Sequence, residues 1–182
     1  LKLGGNLSSW NQTIIKSCDG WAYFGDTSVK IKNGTLNFKG SRNVVEAINY
    51  LKKINFIQNR DEVMLVGIAN GGLAALAWAD YIKAQTNGKV RVLTDATIWE
   101  NDLNDKTKDN YFEKRLQTMA KLFISSGNFP NAKCQAAHPD AIEKCFYASE
   151  LVKYVDPSIQ ILFLQSYYDG WAMAEILGLD CT

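Results

Sequence analysis

The chain has 182 residues, of which 47% are hydrophobic, enough to form the core of one compact domain. Its formal net charge is +1, and acidic and basic residues are mixed along the sequence, so the composition favours neither nucleic acid nor an anionic membrane as a partner. The apolar runs are too short to cross a bilayer, and a start without methionine or a signal-like segment predicts a mature or partial chain.

Three N-glycosylation sequons lie in the first fifth of the chain, at Asn6, Asn11 and Asn33. An Asn-x-Ser/Thr triplet accepts a glycan on the secretory route. One such match is often a coincidence, but a cluster of three predicts a secreted or cell-surface protein.

The secretory route also bears on the four cysteines. Cys134 and Cys145 flank a polar loop and are predicted to form a local disulfide, which stabilises a fold by about 3 kcal/mol through loop closure. Cys18 and Cys181 pair either with each other or with cysteines of a longer chain.

The first predicted elements are short. Residues 13–16 have the composition of a strand, and residues 18–26 form a loop rich in glycine, aspartate and aromatic residues. Alternating apolar residues predict a hairpin over residues 29–38, with its turn at Asn33 and Gly34. Apolar spacing then becomes helical, with Ser41 as the predicted N-cap.

Residues 62–80 combine an apolar strand, a glycine-rich turn and an alanine-rich helix. This is the pattern of a nucleophile elbow, G-x-S-x-G, in which the central residue lies on a strained turn and the flanking glycines relieve crowding. Gly67 and Gly71 are the glycines here, and Ala69 takes the place of the serine. Because a methyl group cannot attack a carbonyl, the sequence predicts an elbow without a nucleophile.

The remaining chain alternates apolar strands with helices. The predicted elements are a strand at 89–94, a polar loop at 100–110, helices at 111–125 and 148–154, and a strand at 158–166. Strands that are apolar on nearly every residue predict an α/β fold whose mostly parallel sheet is buried on both faces by helices. Functional groups collect at the carboxyl ends of such strands, so Ala69 and Asp169 are expected at one edge of the sheet.

Six motifs occur in an order that points to one family. They are WN at 10–11, CDG at 18–20 with GD at 25–26, LNFKGSR at 36–42, GIANGGLA at 67–74, VLTDA at 92–96, and YDGW at 168–171. Together with Cys134 and Cys145, they resemble the pectin acetylesterase family, which includes Notum-type carboxylesterases. The resemblance implies an α/β-hydrolase that removes acetyl or acyl groups from oxygen with a serine, an aspartate and a histidine.

The resemblance assigns the nucleophile position to Ala69 and the acid position to Asp169. The family's histidine and its oxyanion loop fall outside this chain, so residues 1–182 are expected to form a single domain that is incomplete at both ends. The sole histidine, His138, lies inside the predicted disulfide loop and is not expected to be the base. Thr94 and Ser166 are the nearby hydroxyls considered as substitute nucleophiles.

Several residues are candidates for ligand binding. The backbone N–H after the elbow makes Asn70, with Gly71 beside it, a candidate oxyanion donor. Asp19 and Asp26 are equally consistent with binding a sugar hydroxyl and with capping the turns they occupy. The aromatic residues near the strand ends are predicted to line a carbohydrate or acyl pocket or to fill the core; they are Trp21, Tyr23, Trp99, Tyr168 and Trp171. No cofactor is expected, and no metal site is expected around the single histidine.

The leading interpretation is a secreted or cell-surface pseudoenzyme that serves as a binding or structural module, with a glycan or an acylated ligand as its partner. The alternative is an active carbohydrate or protein O-deacylase whose remaining catalytic residues lie outside this segment. A third possibility is a subunit of a larger extracellular or ciliary assembly, because a sheet without its outer strands exposes edges and apolar surface that partners cover.

Overall fold

The structure is a computed structural model that describes residues 7, 9–17, 19–100, 102–124 and 129–179, without the side chains of residues 123 and 124. Asn6, Cys18 and Cys181 therefore lie outside the described residues. The strands are β1 (Thr27–Ile31), β2 (Gly34–Phe38), β3 (Val63–Ile68), β4 (Val90–Asp95) and β5 (Gln160–Leu164). The α-helices are α1 (Gly40–Lys53), α2 (Asn70–Thr86), α3 (Tyr111–Ile124), α4 (Ala132–Ala137) and α5 (Ala148–Leu151). Short 3-10 helices cover Ile142–Phe146 and Val152–Tyr154, and a short π-helix covers Ala172–Ile176.

A three-stranded parallel sheet in the order β3-β4-β5 organises the chain. Val92 at its centre pairs with Leu65 on one side and with Ile161 on the other. Helix α2 packs against one face of the sheet, and its small side chains allow a close approach: Ala77 and Ala79 are fully buried. The predicted parallel sheet and the predicted helix after the elbow are confirmed.

The predicted burial of both sheet faces is wrong for the described residues. Val92 and Thr94 of β4 are buried towards α2. Residues of the opposite parity on the outer strands are 38–55% exposed; they are Val66, Ile68, Leu162 and Leu164. Successive side chains of a strand point to opposite faces, so these four residues form an open apolar face on which no described helix packs.

The N-terminal region contains three further corrections. Residues 13–16 form no strand: Ile14 is 71% exposed, and no described strand pairs with this segment. The hairpin β1-β2 is present, but Ile31 pairs with Gly34, so the turn residues are Lys32 and Asn33. Ser41 lies inside α1, and its Oγ donates to the carbonyl of Phe24 instead of capping the helix.

An aromatic cluster joins the N-terminal loop to the C-terminal half of the chain. The rings of Phe24 and Phe146 stack with centroids 5.7 Å apart, and Phe129 lies 5.8 Å from Phe146. The predicted disulfide between Cys134 and Cys145 is present, with a Cα–Cα distance of 6.0 Å. It holds α4 against the segment that contributes Phe146 to the cluster.

Candidate functional site

The elbow is formed as the sequence predicts, with Ala69 between β3 and α2. Its φ of 50° and ψ of −120° lie where L-residues are rarely found. Its N–H donates to the carbonyl of Asp95 at 2.8 Å, and its own carbonyl accepts from the N–H of Gly72 at 2.9 Å and from Oγ1 of Thr97 at 3.3 Å. Ala69 is exposed at the end of the strand, so the turn presents a methyl group where the elbow of a hydrolase presents its nucleophile.

The glycines of the elbow differ in whether a side chain would fit at their positions. A Cβ on Gly67 would lie 2.0 Å from the carbonyl oxygen of Gly71, and a Cβ on Gly72 would lie 1.9 Å from Oγ1 of Thr97. A Cβ on Gly71 would meet no atom within 4 Å. Crowding is therefore relieved by Gly67 and Gly72, and the second glycine of the predicted motif, Gly71, is not one of the crowded positions.

Asp169 lies after β5 and bonds to its own neighbourhood. Its Oδ1 accepts from the N–H groups of Trp171 and Ala172 at 3.0 and 3.1 Å, and its Oδ2 accepts from Nε2 of Gln165 at 3.0 Å. Because β3 and β5 flank β4, the carboxyl ends of these two strands are roughly 10 Å apart. Both positions lie at the carboxyl edge of the sheet, and the Asp169 carboxylate caps the chain that follows it.

Asp19 and Asp26 hold the start of α1. Asp19 accepts from the N–H of Trp21 at 3.1 Å through Oδ1 and from the N–H of Gly40 at 2.9 Å through Oδ2. Asp26 forms an ion pair of 2.9 Å with Lys39. The contacts of Asp19 with backbone N–H groups match the predicted capping role, whereas the contact of Asp26 is an ion pair with a side chain.

A cavity of about 600 Å³ adjoins the elbow. Trp21, Asn70 and Trp99 line it from the N-terminal loop, the start of α2 and the segment after β4. Its other walls are described residues from α2, α3 and the C-terminal region, including Leu73, Phe112, Leu116, Met119, Phe146 and Trp171. Of the predicted pocket aromatics, Trp21, Trp99 and Trp171 line this cavity, whereas Tyr23 and Tyr168 do not. Gly71 and the two loop aspartates also lie outside the lining.

Two residues of the cavity, Lys114 and Arg115, were not predicted as site residues. They lie in α3, whose apolar residues at helical spacing predicted only a helix that packs on the core. The only sequence feature that marks them is that two adjacent cationic residues lie next to the apolar stripe of α3. Their position near the elbow depends on tertiary packing, which helical periodicity does not specify.

The other nucleophile and base candidates are either buried or bonded to other groups. Thr94 is fully buried, and Oγ of Ser166 accepts from the N–H of Tyr168 at 3.2 Å. Nε2 of His138 lies 3.0 Å from Oε1 of Glu150 and 3.2 Å from the hydroxyl of Tyr154. His138 therefore belongs to a polar cluster that joins the disulfide loop to α5.

The carboxyl group of Glu150 in that cluster has a strongly lowered pKa. Its hydrogen bond from Lys153, together with those from His138 and Tyr154, lowers its pKa to about 2, against the opposing effect of partial burial. This carboxylate stays ionised throughout the physiological range.

Asn11 and Asn33 are exposed, as are the threonines of their sequons, Thr13 and Thr35. In the part of the chain that the structure describes, no helix has the length and apolarity needed to cross a membrane. The same residues contain no group of three or more His, Cys, Asp or Glu side chains able to hold a metal ion.

Comparison with known proteins gives a family match, a sequence relative and similar solved structures. The family model described as "Pectinacetylesterase" matches residues 5–182. Pectin acetylesterase 4 of Arabidopsis thaliana is 24% identical over 179 residues, which cover 94% of this chain and 41% of that protein. Two crystal forms of the Wnt deacylase Notum from Drosophila superpose with TM-scores of 0.71 and 0.68 at 17% and 19% identity, over 86% and 87% of this chain. Each superposition covers 46% of the Notum chain, so this chain spans less than half the length of these relatives. The structural likeness confirms the predicted α/β-hydrolase fold.

Proposed function

Because the chain belongs to the pectinacetylesterase family, we propose that it is a secreted or cell-surface pseudoenzyme that binds a glycan or an acylated ligand without hydrolysing it. Residues 1–182 act in this proposal as a single α/β-hydrolase-like domain. The observation that carries the proposal is the exposed methyl group of Ala69 on an elbow whose strained geometry is otherwise kept.

Acyl transfer requires an activated nucleophile, a base within hydrogen-bond reach and donors aimed at the developing oxyanion. Ala69 supplies no nucleophile, and Thr94 is too deeply buried to replace one. His138 is bonded to Glu150 and Tyr154. The backbone N–H groups of Asn70 and Gly71 remain as oxyanion or ligand donors, and donors of this kind without a nucleophile favour binding over turnover.

The cavity supports the binding half of the proposal. A volume of about 600 Å³ falls within the ~300–1,000 Å³ of ordinary small-molecule sites. Asn70 lies at its boundary with the elbow, where its side-chain amide can bond a ligand oxygen. A ligand bound here would lie beside the family's reaction centre without reacting.

The secretory route is supported by the disulfide and by the exposure of the described sequons. We expect the native protein to lose mass on treatment with peptide N-glycosidase F, with acceptor sites at Asn6, Asn11 and Asn33. The Thr13→Ala and Thr35→Ala variants each remove one described sequon and should each remove one glycan. A native protein whose mass the enzyme leaves unchanged would contradict the glycosylation.

Turnover of p-nitrophenyl acetate tests the catalytic half. We expect the wild-type chain to match its Ala136→Ser variant, which places a serine on an exposed position of α4, at the background rate. The Ala69→Ser variant measures what a restored nucleophile contributes. Robust hydrolysis by the wild-type chain would overturn the pseudoenzyme proposal.

The alternative proposal is an active carbohydrate or protein O-deacylase whose remaining catalytic residues lie outside these 182 residues. It is favoured by the position of Asp169 at the same sheet edge as the elbow and by the greater length of the relatives. This alternative predicts wild-type turnover that an Asp169→Asn substitution abolishes. The open apolar face of the sheet supports the further proposal of protein partners in an extracellular or ciliary assembly, which native mass spectrometry of the purified protein tests.

A further inference from the structure

The cavity beside the elbow combines apolar walls with a positively charged rim. Lys114 and Arg115 contribute cationic groups to it, and none of its described lining residues is Asp or Glu. A ligand that complements such a site needs an apolar body to fill the interior and an anionic group to face the rim.

Arg115 is the cation better placed to receive a ligand anion. Lys114 forms a hydrogen-bonded ion pair of 2.9 Å with Asp109. The guanidinium of Arg115 is 3.6 Å from the carboxylate of Glu175, beyond hydrogen-bond distance, and both side chains are about half exposed. An exposed pair of this kind contributes little free energy, so a ligand carboxylate that accepts two parallel hydrogen bonds from the guanidinium can displace it.

The walls favour a flat apolar group over a sugar. Trp171 lies 5.7 Å from both Trp99 and Phe112, and the ring of Trp21 lies 5.6 Å from Phe146, with all five rings in the lining. Apart from the indole N–H groups of the tryptophans, the uncharged polar side chains in the lining are Asn70, Tyr111 and Thr118. A pyranose brings several hydroxyl groups that each need a partner when buried, whereas an aromatic ring fills a space between other rings without that cost.

We infer that this cavity binds an aromatic carboxylate, with the ring held among the tryptophan side chains and the carboxylate at Arg115. Tyr111 contributes to the head-group site, because the guanidinium of Arg115 lies 5.8 Å from the centroid of its ring and is oriented by it. This inference rests on the proposed function, because it specifies which class of ligand the cavity beside the elbow binds.

The test is calorimetric titration of the whole chain with 2-naphthoate and with 2-naphthamide, which has the same shape and no charge. We expect 2-naphthoate to bind about fivefold more tightly, as for a partly exposed ion pair. Arg115→Gln should abolish that preference while the affinity for 2-naphthamide stays unchanged. Lys121→Gln, which removes an exposed cation of the same helix outside the cavity lining, should keep the preference. Circular dichroism of each variant verifies that it is folded.

Equal affinity of the wild-type chain for the two ligands would overturn the inference and leave the aromatic site of the proposed function in place. A preference for 2-naphthoate that survives Arg115→Gln would overturn the assignment of the carboxylate to Arg115. Failure of both ligands to bind would overturn the ligand class altogether. Failure of the pseudoenzyme proposal is seen in a different experiment, as turnover of p-nitrophenyl acetate.

Discussion

The neighbouring glycines at the start of α2 should respond oppositely to the same substitution. Gly71→Ala adds a methyl group that meets no atom within 4 Å, at a position without a positive φ. Gly72→Ala places its methyl carbon 1.9 Å from Oγ1 of Thr97 and 3.1 Å from Cβ of Thr94, and both threonines are fully buried. The two variants therefore form a matched pair that differs in local packing.

The magnitudes follow from these surroundings. Alanine in place of glycine in a helix raises the free energy of unfolding by roughly 0.5–1 kcal/mol when nothing is displaced, and Gly71→Ala should gain up to this amount. Insertion of a methyl group into a filled core costs about 1–3 kcal/mol because side chains and backbone must shift. Gly72→Ala should therefore be less stable than Gly71→Ala by about 1.5–4 kcal/mol, and helix propensity alone predicts no difference.

Urea denaturation followed by circular dichroism at 222 nm measures both variants against the wild-type chain. Equal slopes with separate midpoints would assign the difference to stability and not to a change in the unfolded state. If Gly71→Ala loses as much stability as Gly72→Ala, the crowding argument at the elbow is wrong. The motif glycine would then be required for a reason other than space.

Four other changes test the remaining structural assignments. Replacing Cys134 and Cys145 together by alanine should lower the free energy of unfolding by about 3 kcal/mol, and dithiothreitol should destabilise the wild-type chain more than this variant. A hydrogen bond from the Lys153 ammonium lowers the pKa of Glu150 from 4.5 to about 2, so the ionised carboxylate stabilises the folded state. This stabilisation is fully present above pH 4.5 and is lost as the pH falls through about 2. Glu150→Gln should therefore lower the melting temperature at neutral pH, with the difference from wild type vanishing near pH 2. Asp19→Ala removes the acceptor at the start of α1 and should cost about 1 kcal/mol in urea denaturation, whereas no loss would exclude capping. Ala69→Gly should raise the melting temperature, since glycine adopts a positive φ without the cost of about 1–3 kcal/mol that alanine bears, and a lower value would mean that the methyl group packs.

Local patterns were sufficient to predict the elbow and its flanking elements. A continuous apolar strand, three nearby glycines and an alanine-rich helix each restrict the backbone within a few residues, and Ala69 follows from the spacing. The disulfide was equally accessible, because Cys134 and Cys145 are only 11 positions apart in the sequence. The ligand candidates were less well determined: Asp19 and Asp26 each had two predicted roles, and the structure shows a capping contact for Asp19 and an ion pair with Lys39 for Asp26.

Features that depend on tertiary neighbours were not predictable in the same way. A continuous apolar pattern does not show whether helices cover both faces of the sheet or only one. The exposure of Ile68 and Leu164 could therefore not be derived from hydrophobicity. The role of Arg115 could not be predicted for the same reason. Helical spacing places it beside an apolar stripe of α3, but only tertiary packing brings it to the cavity next to the elbow. Ser41 shows that a residue typical of N-caps can instead donate to a distant carbonyl, here that of Phe24.

The strained turn at Ala69 is explained by the backbone hydrogen bonds that it makes, independently of any role in catalysis. A non-glycine residue in such a conformation costs on the order of 1–3 kcal/mol, which must be offset by what the turn holds together. Its N–H bonds to the carbonyl of Asp95 at the end of β4, and its carbonyl accepts from the first turn of α2 and from Thr97. The turn therefore joins two strands and a helix through backbone groups that are present whichever side chain occupies the position. None of these bonds involves the side chain at position 69, so the intact elbow is evidence for the fold and not for a particular reaction.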